Sequence, residues 1–350
     1  MVAQAGYESN SPNLSMLEKP DFPDENIITC LRSEYGLRVA AITFLPLGAD
    51  LNTAVYRVTA DDGTAYFLKL RSGVFNETSV TLPEFLSDQG VPHIIAPLAT
   101  SSGQLWATLD AYKVIVYPFI AGRNGYEVDL TDQQWIEFGA VLKRIHSLVL
   151  PPMLSDHIQR ETYSLRWREM VKAALVRIES ETYEDPITAE MTAFLCTKRA
   201  EVLALVERTE RCARVLLEHS PEFVLCHSDL HAGNILLEDN GAFYLVDWDA
   251  PILAPKERDL MYAGGGQFGS TRTPDEEERL FYRGYGQTEI DHTALAYYRY
   301  ERIVEDIAVE CEQIFSTNEG GDDRAQALRW MKSNFEPNGV IKIAYRSPAP

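Results

Sequence analysis

Residues Cys226 to Asp249 read CHSDLHAGNILLEDNGAFYLVDWD. Ile235–Leu237 and Phe243–Val246 are apolar runs, and the Asn240-Gly241 pair between them is the strongest short-range signal for a β-hairpin. With those two residues as the turn, Asp239 falls opposite Ala242 and, counting outward, Asn234 falls opposite Asp247. Directly opposed residues have Cβ atoms about 5 Å apart, so the amide and the carboxylate can share one Mg²⁺. Asp229 precedes Asn234 in the loop that leads into the first strand.

An acid, then an amide on the same loop, then a second acid across a turn is the layout of a kinase catalytic loop. The first acid serves as base, and the amide and second acid as metal ligands. Asp-x4-Asn alone recurs by chance. A His two residues before the Asp and the Asp placed across the hairpin turn supply the specificity. His227 and His231 flank Asp229, but a metal role would want a third nitrogen or sulfur ligand nearby. Orienting the loop through hydrogen bonds is the expected task of His227. Asp259, in Lys256-Glu257-Arg258-Asp259-Leu260, is expected to lend structural support by accepting backbone or His bonds.

At 350 residues the chain suits two domains or one two-lobed domain. Its hydrophobic content of 45% and charged content of 24% are those of an ordinary globule. The formal net charge of −20 is unusual. Such a chain repels nucleic acid and anionic membrane and favours cationic small molecules, although acidity also serves plain solubility. The five cysteines (Cys30, Cys196, Cys212, Cys226 and Cys311) stand singly without metal spacing, as reduced cytoplasmic thiols do. No signal peptide or membrane span is read, and no obligate protein partner. Residues 1–20 and the Arg-Ser-Pro-Ala-Pro tail are polar and read as disordered.

Strands are expected at Ile42–Leu47, Thr53–Thr59 and Ala65–Leu70, with Asp62-Gly63 turning between the last two. A helix is expected over Phe75–Asp88, weakened by Pro83 and closed by Gly90, then strands at Leu105–Leu109 and Lys113–Tyr117. Beyond Pro118 the pattern turns helical. Thr131-x-x-Gln134 is a capping box opening a helix with Trp135, Phe138, Val141, Leu142 and Ile145 on one face. Further helices are expected at Leu165–Ser180, Thr188–Glu218, Asp275–Tyr285, His292–Phe315 and Asp323–Asn334. The expected fold is α+β and bilobal, protein-kinase-like: a nucleotide-binding lobe over 21–117 with a small antiparallel sheet, and a helical lobe over 118–350 carrying the catalytic loop and acceptor site.

Phosphoryl transfer is mostly positioning and charge neutralisation. Lys69 is a lone charge inside the apolar third strand and suits the α/β-phosphates of ATP; the bland alternative is an edge-strand lysine that discourages aggregation. Glu77 and Glu84 both qualify as its ion-pair partner, and Pro83 beside Glu84 favours Glu77. The single-glycine loop Pro46–Asn52 lies where a phosphate-covering loop belongs. Tyr117 and Phe119 lie in the lobe connector, whose backbone would bond the adenine edge. Gly264-Gly265-Gly266 follows no strand of a βαβ unit and reads as a flexible loop.

His-Ser-Asp-Leu-His-Ala-Gly-Asn, followed by Tyr-Leu-Val-Asp-Trp-Asp and Glu-Arg-Asp-Leu, resembles the aminoglycoside phosphotransferase family. Many relatives have H-G-D-x-H-x-G-N, from which Ser228 and Ala232 depart. The likeness runs from about Asp24 to Ala344 and is greatest to members that act on spectinomycin at its 9-hydroxyl. It implies the kinase-like fold, ATP and Mg²⁺, Asp229 as catalytic Asp, Asn234 and Asp247 as Mg²⁺ ligands, and Lys69 as phosphate-binding Lys. Because that acceptor is a dication, Glu305 or Asp306 of the Glu301–Asp306 stretch is expected to read an ammonium. Two alternatives stay open: a kinase for a small metabolite such as a sugar, choline or homoserine, and a pseudokinase, against which the intact Lys69, Asp229, Asn234 and Asp247 argue.

Overall fold

A computed structural model describes residues 19–20, 22–46, 52–219, 221–269, 271–316, 321–337 and 339–347. The polar tail before Lys19, residues 47–51 of the Pro46–Asn52 loop and the last three residues lie outside the described residues. The chain divides into two compact units, Met1–Phe75 with Ala99–Val116, and Asn76–Leu98 with Tyr117–Pro350.

The first unit holds α1 (Asp24–Tyr35), β1 (Val39–Leu45), β2 (Thr53–Ala60) and β3 (Ala65–Arg71). The helix α1 escapes the strand pattern of the sequence; it buries Ile27, Cys30 and Leu31 and stops at Gly36, whose φ of 68° suits a residue without Cβ. After α2 (Thr78–Asp88), which belongs to the second unit, the chain returns to the first for β4 (Ala107–Leu109) and β5 (Tyr112–Pro118). The sheet order is β1-β2-β3-β5-β4. Lys69 is therefore on the middle strand, opposite Val55, and edge protection is excluded as its role. Leu68 and Leu70 beside it are fully buried, so the two-residue period puts the lysine on the other face.

The second unit continues with β6 (Gly122–Asn124), α3 (Asp132–His146), α4 (Pro152–Ser155), β7 (Gln159–Arg160), α5 (Arg166–Ser180), α6 (Pro186–His219) and β8 (Val224–Cys226). It ends with β9 (Ile235–Glu238), β10 (Phe243–Leu245), β11 (Ile252–Ala254), α7 (Glu257–Leu260), α8 (Pro274–Tyr285), α9 (His292–Ser316), α10 (Gly321–Ser333) and α11 (Val340–Ala344). Both halves of the Thr131–Gln134 capping box form. The helix α9 packs against α5, α6, α7, α10 and α11 and carries much of the core. Helices α3 and α8 approach through glycines: a β-carbon on Gly139 would land on the Phe281 carbonyl, and one on Gly284 on the Ile136 carbonyl.

Residues 76–98 belong with this unit for a visible reason. Leu82, Leu86 and Val91 enter its apolar core. His93 stacks on Phe243 at 4.0 Å, its Nδ1 lies 2.7 Å from the Phe243 carbonyl, and its own carbonyl takes the Leu245 amide at 2.9 Å. The helix α2 begins at Thr78, later than expected, because the Asn76 side chain accepts both the Thr78 amide and hydroxyl.

The Gly264–Gly266 stretch is a packed turn and not the flexible loop expected. Gly264 and Gly266 have φ of 66° and 77°, and a β-carbon on Gly265 would strike the Met261 carbonyl. Arg299 ties the turn down through the Ala263 carbonyl at 3.1 Å, and Glu277 accepts the Gly264 amide at 3.2 Å.

Candidate active site

Strand β8 delivers the chain to His227, and the loop that follows is held by Asp259. The Asp259 carboxylate accepts the amide of His227 at 2.9 Å and that of Ser228 at 2.7 Å, and lies 3.1 Å from His146 Nε2. Ser228 sits at φ 76°, a left-handed conformation costly for a residue with a Cβ. Its hydroxyl donates to the Ala250 carbonyl at 2.7 Å. His227 Nε2 is 2.9 Å from the Val246 carbonyl and so donates to it, which leaves Nδ1 to accept the Asp229 amide at 3.3 Å.

A single 3-10 turn over Ala232–Asn234, opened by His231 Nδ1 accepting the Gly233 amide, swings Asn234 back toward Asp229. Its Nδ2 donates to the Asp229 carbonyl at 2.8 Å and to Oδ2 at 3.3 Å. The amide nitrogen is thereby engaged, and the side-chain oxygen is the atom left for a cation. This is the donor chemistry a Mg²⁺ ligand needs.

Asp247 does not stand across from Asn234. The pairs are Leu237–Phe243, Leu236–Tyr244 and Ile235–Leu245, and the Val246 amide donates to the Asn234 carbonyl at 3.0 Å. The expected register is off by one because the turn contains three residues. Glu238 pairs with Ala242, and Gly241, at φ 91°, supplies the left-handed residue of a bulged hairpin. Asp247 is exposed and has φ 66°, which interrupts strand alternation at that residue, so register alone does not assign its side chain to a face.

Asp229, with its side chain 37% exposed, gathers cations and donors. Arg302 of α9 donates from Nη1 to Oδ1 at 2.7 Å, the Tyr262 hydroxyl lies 3.3 Å from the same oxygen, and His231 Nε2 lies 3.5 Å from Oδ2. Burial would raise this carboxyl, but the His231 bond and the charge of Arg302 outweigh it and hold it well below the usual carboxylate range. Arg302 and Tyr262 were invisible to sequence reasoning. The one available signal was Arg302 standing four residues before Asp306, which pairs with its Nε at 3.0 Å.

Residues 43–298 match the phosphotransferase enzyme family. It belongs to that family. Among solved structures, the phosphotransferase is similar to spectinomycin phosphotransferase APH(9)-Ia in complex with ADP and spectinomycin. The identity is 37% over 94% of this chain and 99% of that one, with a TM-score of 0.87. The AMP-bound complex of the same enzyme gives 35% identity over 92% and 98%, with a TM-score of 0.82. Amicoumacin kinase hAmiN, in complex with AMP-PNP, Ca²⁺ and Ami, shares the fold at 18% identity over 93% and 95%, with a TM-score of 0.58. Comparison with curated protein sequences returns no match. The expected α+β kinase-like fold and phosphotransferase chemistry are thus those of the protein.

The other expected site residues are spread over the phosphotransferase. Glu77 is exposed at the N-terminal edge of α2, and Glu84 is half-buried within it. Burial, then the Asp88 charge, raises the Glu84 carboxyl. Tyr117 and Phe119 are half-buried at the end of β5 and just beyond. On α9, Asp306 is committed to Arg302, whereas Glu305 makes no hydrogen bond or ion pair among the described residues. Among the described residues, the tightest His/Cys/Asp group is His146, Cys226 and Asp259, all buried. Each has protein partners (His146 Nδ1 faces the Tyr285 hydroxyl at 2.8 Å, and Cys226 faces the carbonyls of Ala254 and Pro255), so the group reads as packing. No helix among the described residues is long and apolar enough to cross a membrane.

Proposed function

We propose that this enzyme transfers the γ-phosphoryl group of ATP to the 9-hydroxyl of spectinomycin, in the cytoplasm, and so inactivates an aminocyclitol antibiotic. The observation that carries this reading is the 37% identity, over nearly the whole of both chains, to an enzyme solved with ADP and spectinomycin. The acidic balance supports a cationic acceptor.

In this reading Asp229 accepts or orients the acceptor proton, as its ionised state and exposed edge allow. Asn234 and Asp247 would hold Mg²⁺, which when bound neutralises charge developing on the transferred group. Lys69 binds the α/β-phosphates, with Glu77 or Glu84 as its partner, and the Tyr117–Phe119 backbone meets the adenine edge. Glu305, without a hydrogen bond or ion pair among the described residues, reads an ammonium of the acceptor, while Asp306 does so only by giving up Arg302. His227 and Asp259 hold the loop in shape.

The test is ADP release with spectinomycin against a panel of sugars, choline and homoserine. Turnover with spectinomycin, and its loss when the 9-hydroxyl is absent, is the expected result. Turnover confined to a metabolite on the panel would replace this reading with that of a small-metabolite kinase.

A further inference from the structure

The two oxygens of Asp229 have unequal surroundings. Oδ1 takes the 2.7 Å bond from Arg302 and lies 3.3 Å from the Tyr262 hydroxyl. Oδ2 has only longer contacts, from Asn234 at 3.3 Å and His231 at 3.5 Å. Charge-assisted bonds of normal length are roughly twice as strong as neutral ones, so Oδ1 is the anchored atom and Oδ2 keeps lone pairs for a visitor. Arg302 is itself braced. Its Nε stands in an ion pair 3.0 Å from Asp306 Oδ1 one turn along α9, held by charge and not by an aligned hydrogen bond, and its side chain is only 21% exposed.

We propose that Arg302 is a positioning residue for phosphoryl transfer: it pins Oδ1 of Asp229 so that Oδ2 faces the acceptor hydroxyl, with Asp306 fixing the guanidinium. The proposal rests on the reading of Asp229 as the carboxylate that takes the acceptor proton. In that step the acceptor oxygen bonds to the γ-phosphorus as its O–H bond breaks. The proton goes to Oδ2, and the bond to the bridging oxygen breaks with its electron pair leaving on ADP.

A cation beside a base makes it a weaker base, so any benefit of Arg302 to the rate comes from orientation. Misplacing a reacting group by about 1 Å can cost on the order of 10²-fold, within the roughly 10²–10⁴-fold that a general base contributes. The planar guanidinium reaches Asp229 through Nη1 and Asp306 through Nε at once. An ammonium is a single point and cannot hold both in that geometry.

The experiment is steady-state kinetics of Arg302→Met, Arg302→Lys and Asp306→Asn, each alone and combined with Asp229→Ala, using ATP and the acceptor that supports ADP release. Arg302→Met is expected to lower kcat by roughly 10- to 100-fold with both KM values within about threefold, and Arg302→Lys to rescue little. In the Asp229→Ala enzyme the same change is expected to cost nothing further, because it acts through the missing carboxylate. An equal loss in that background would make Arg302 a direct contact of phosphoryl or acceptor and overturn the proposal, as would a raised acceptor KM at unchanged kcat. Should Arg302→Met fail to fold, the Asp306→Asn cycle carries the test, and additivity with Asp229→Ala would overturn it. Full turnover by Asp229→Ala alone would overturn the reading of Asp229 itself, an outcome distinct from a silent Arg302.

Discussion

Asp259 accepts the amide of Ser228 at 2.7 Å from 31 residues away and thereby sets the backbone one residue before Asp229. The same carboxylate takes the His227 amide, so two consecutive donors converge on one buried side chain. Asp259→Asn would turn an NH₂ group toward one of these donors. Breaking such a buried charged network costs about 3–5 kcal/mol. Urea unfolding should show a loss of that order, together with a fall in kcat. Native stability would mean that the loop holds itself.

Ser228 pays for its left-handed backbone and recovers something through its bond to Ala250. The left-handed region costs roughly 1–2 kcal/mol for a residue with a Cβ, and a hydrogen bond contributes about 1 kcal/mol. Ser228→Gly relieves the first and loses the second, so it should be neutral or slightly stabilising. Ser228→Ala loses the bond and keeps the strain, and should be less stable by about 1 kcal/mol. Thermal melts that reverse this order would contradict the account.

Glu310 is 7% exposed and its Oε2 has no hydrogen-bond partner among the described residues. Burial, then the Asp306 charge, pushes its carboxyl up to about 9, with Arg302 opposing. The folded state therefore keeps a proton that the unfolded chain releases near 4.5. The favourable contribution is fully present below that value and is lost as pH rises toward 9. A tenfold difference in proton affinity between the folded and unfolded chain corresponds to about 1.4 kcal/mol. Glu310→Gln should therefore stabilise by a few kcal/mol at pH 8 and very little at pH 5. A difference independent of pH would show that Glu310 is ionised in the fold.

Gly139→Ala should destabilise although alanine favours helix by about 1 kcal/mol. Its methyl would land on the Phe281 carbonyl of α8, and overpacking typically costs about 1–3 kcal/mol. A stabilised variant, by urea titration, would mean that α3 and α8 can part without loss.

Long amphipathic helices were legible because their caps and apolar spacing are local; the Thr131–Gln134 box forms as read. The hairpin was legible and its register was not, because Asn240-Gly241 fits both a two-residue turn and the last two residues of a three-residue one. The helix α1 buries only Ile27, Cys30 and Leu31, a pattern too short to stand out beside the strands. Arg302 lies 73 residues from Asp229, a separation that no periodicity spans. Within Glu301–Asp306 the carboxylates point the sequence reading toward the acceptor, and the Arg302 bond to Asp229 has no counterpart in it.

The attachment of residues 76–98 to the second unit has a consequence during synthesis. His93 meets Phe243 across 150 residues of chain. At about 5–20 residues per second, its partner emerges from the ribosome roughly eight to thirty seconds later. Until then Leu82 and Leu86 of α2, and Val91 beyond it, lack the part of their core that lies around Phe243. Part of the second unit's core is therefore closed only late in synthesis, by a segment made early in the chain.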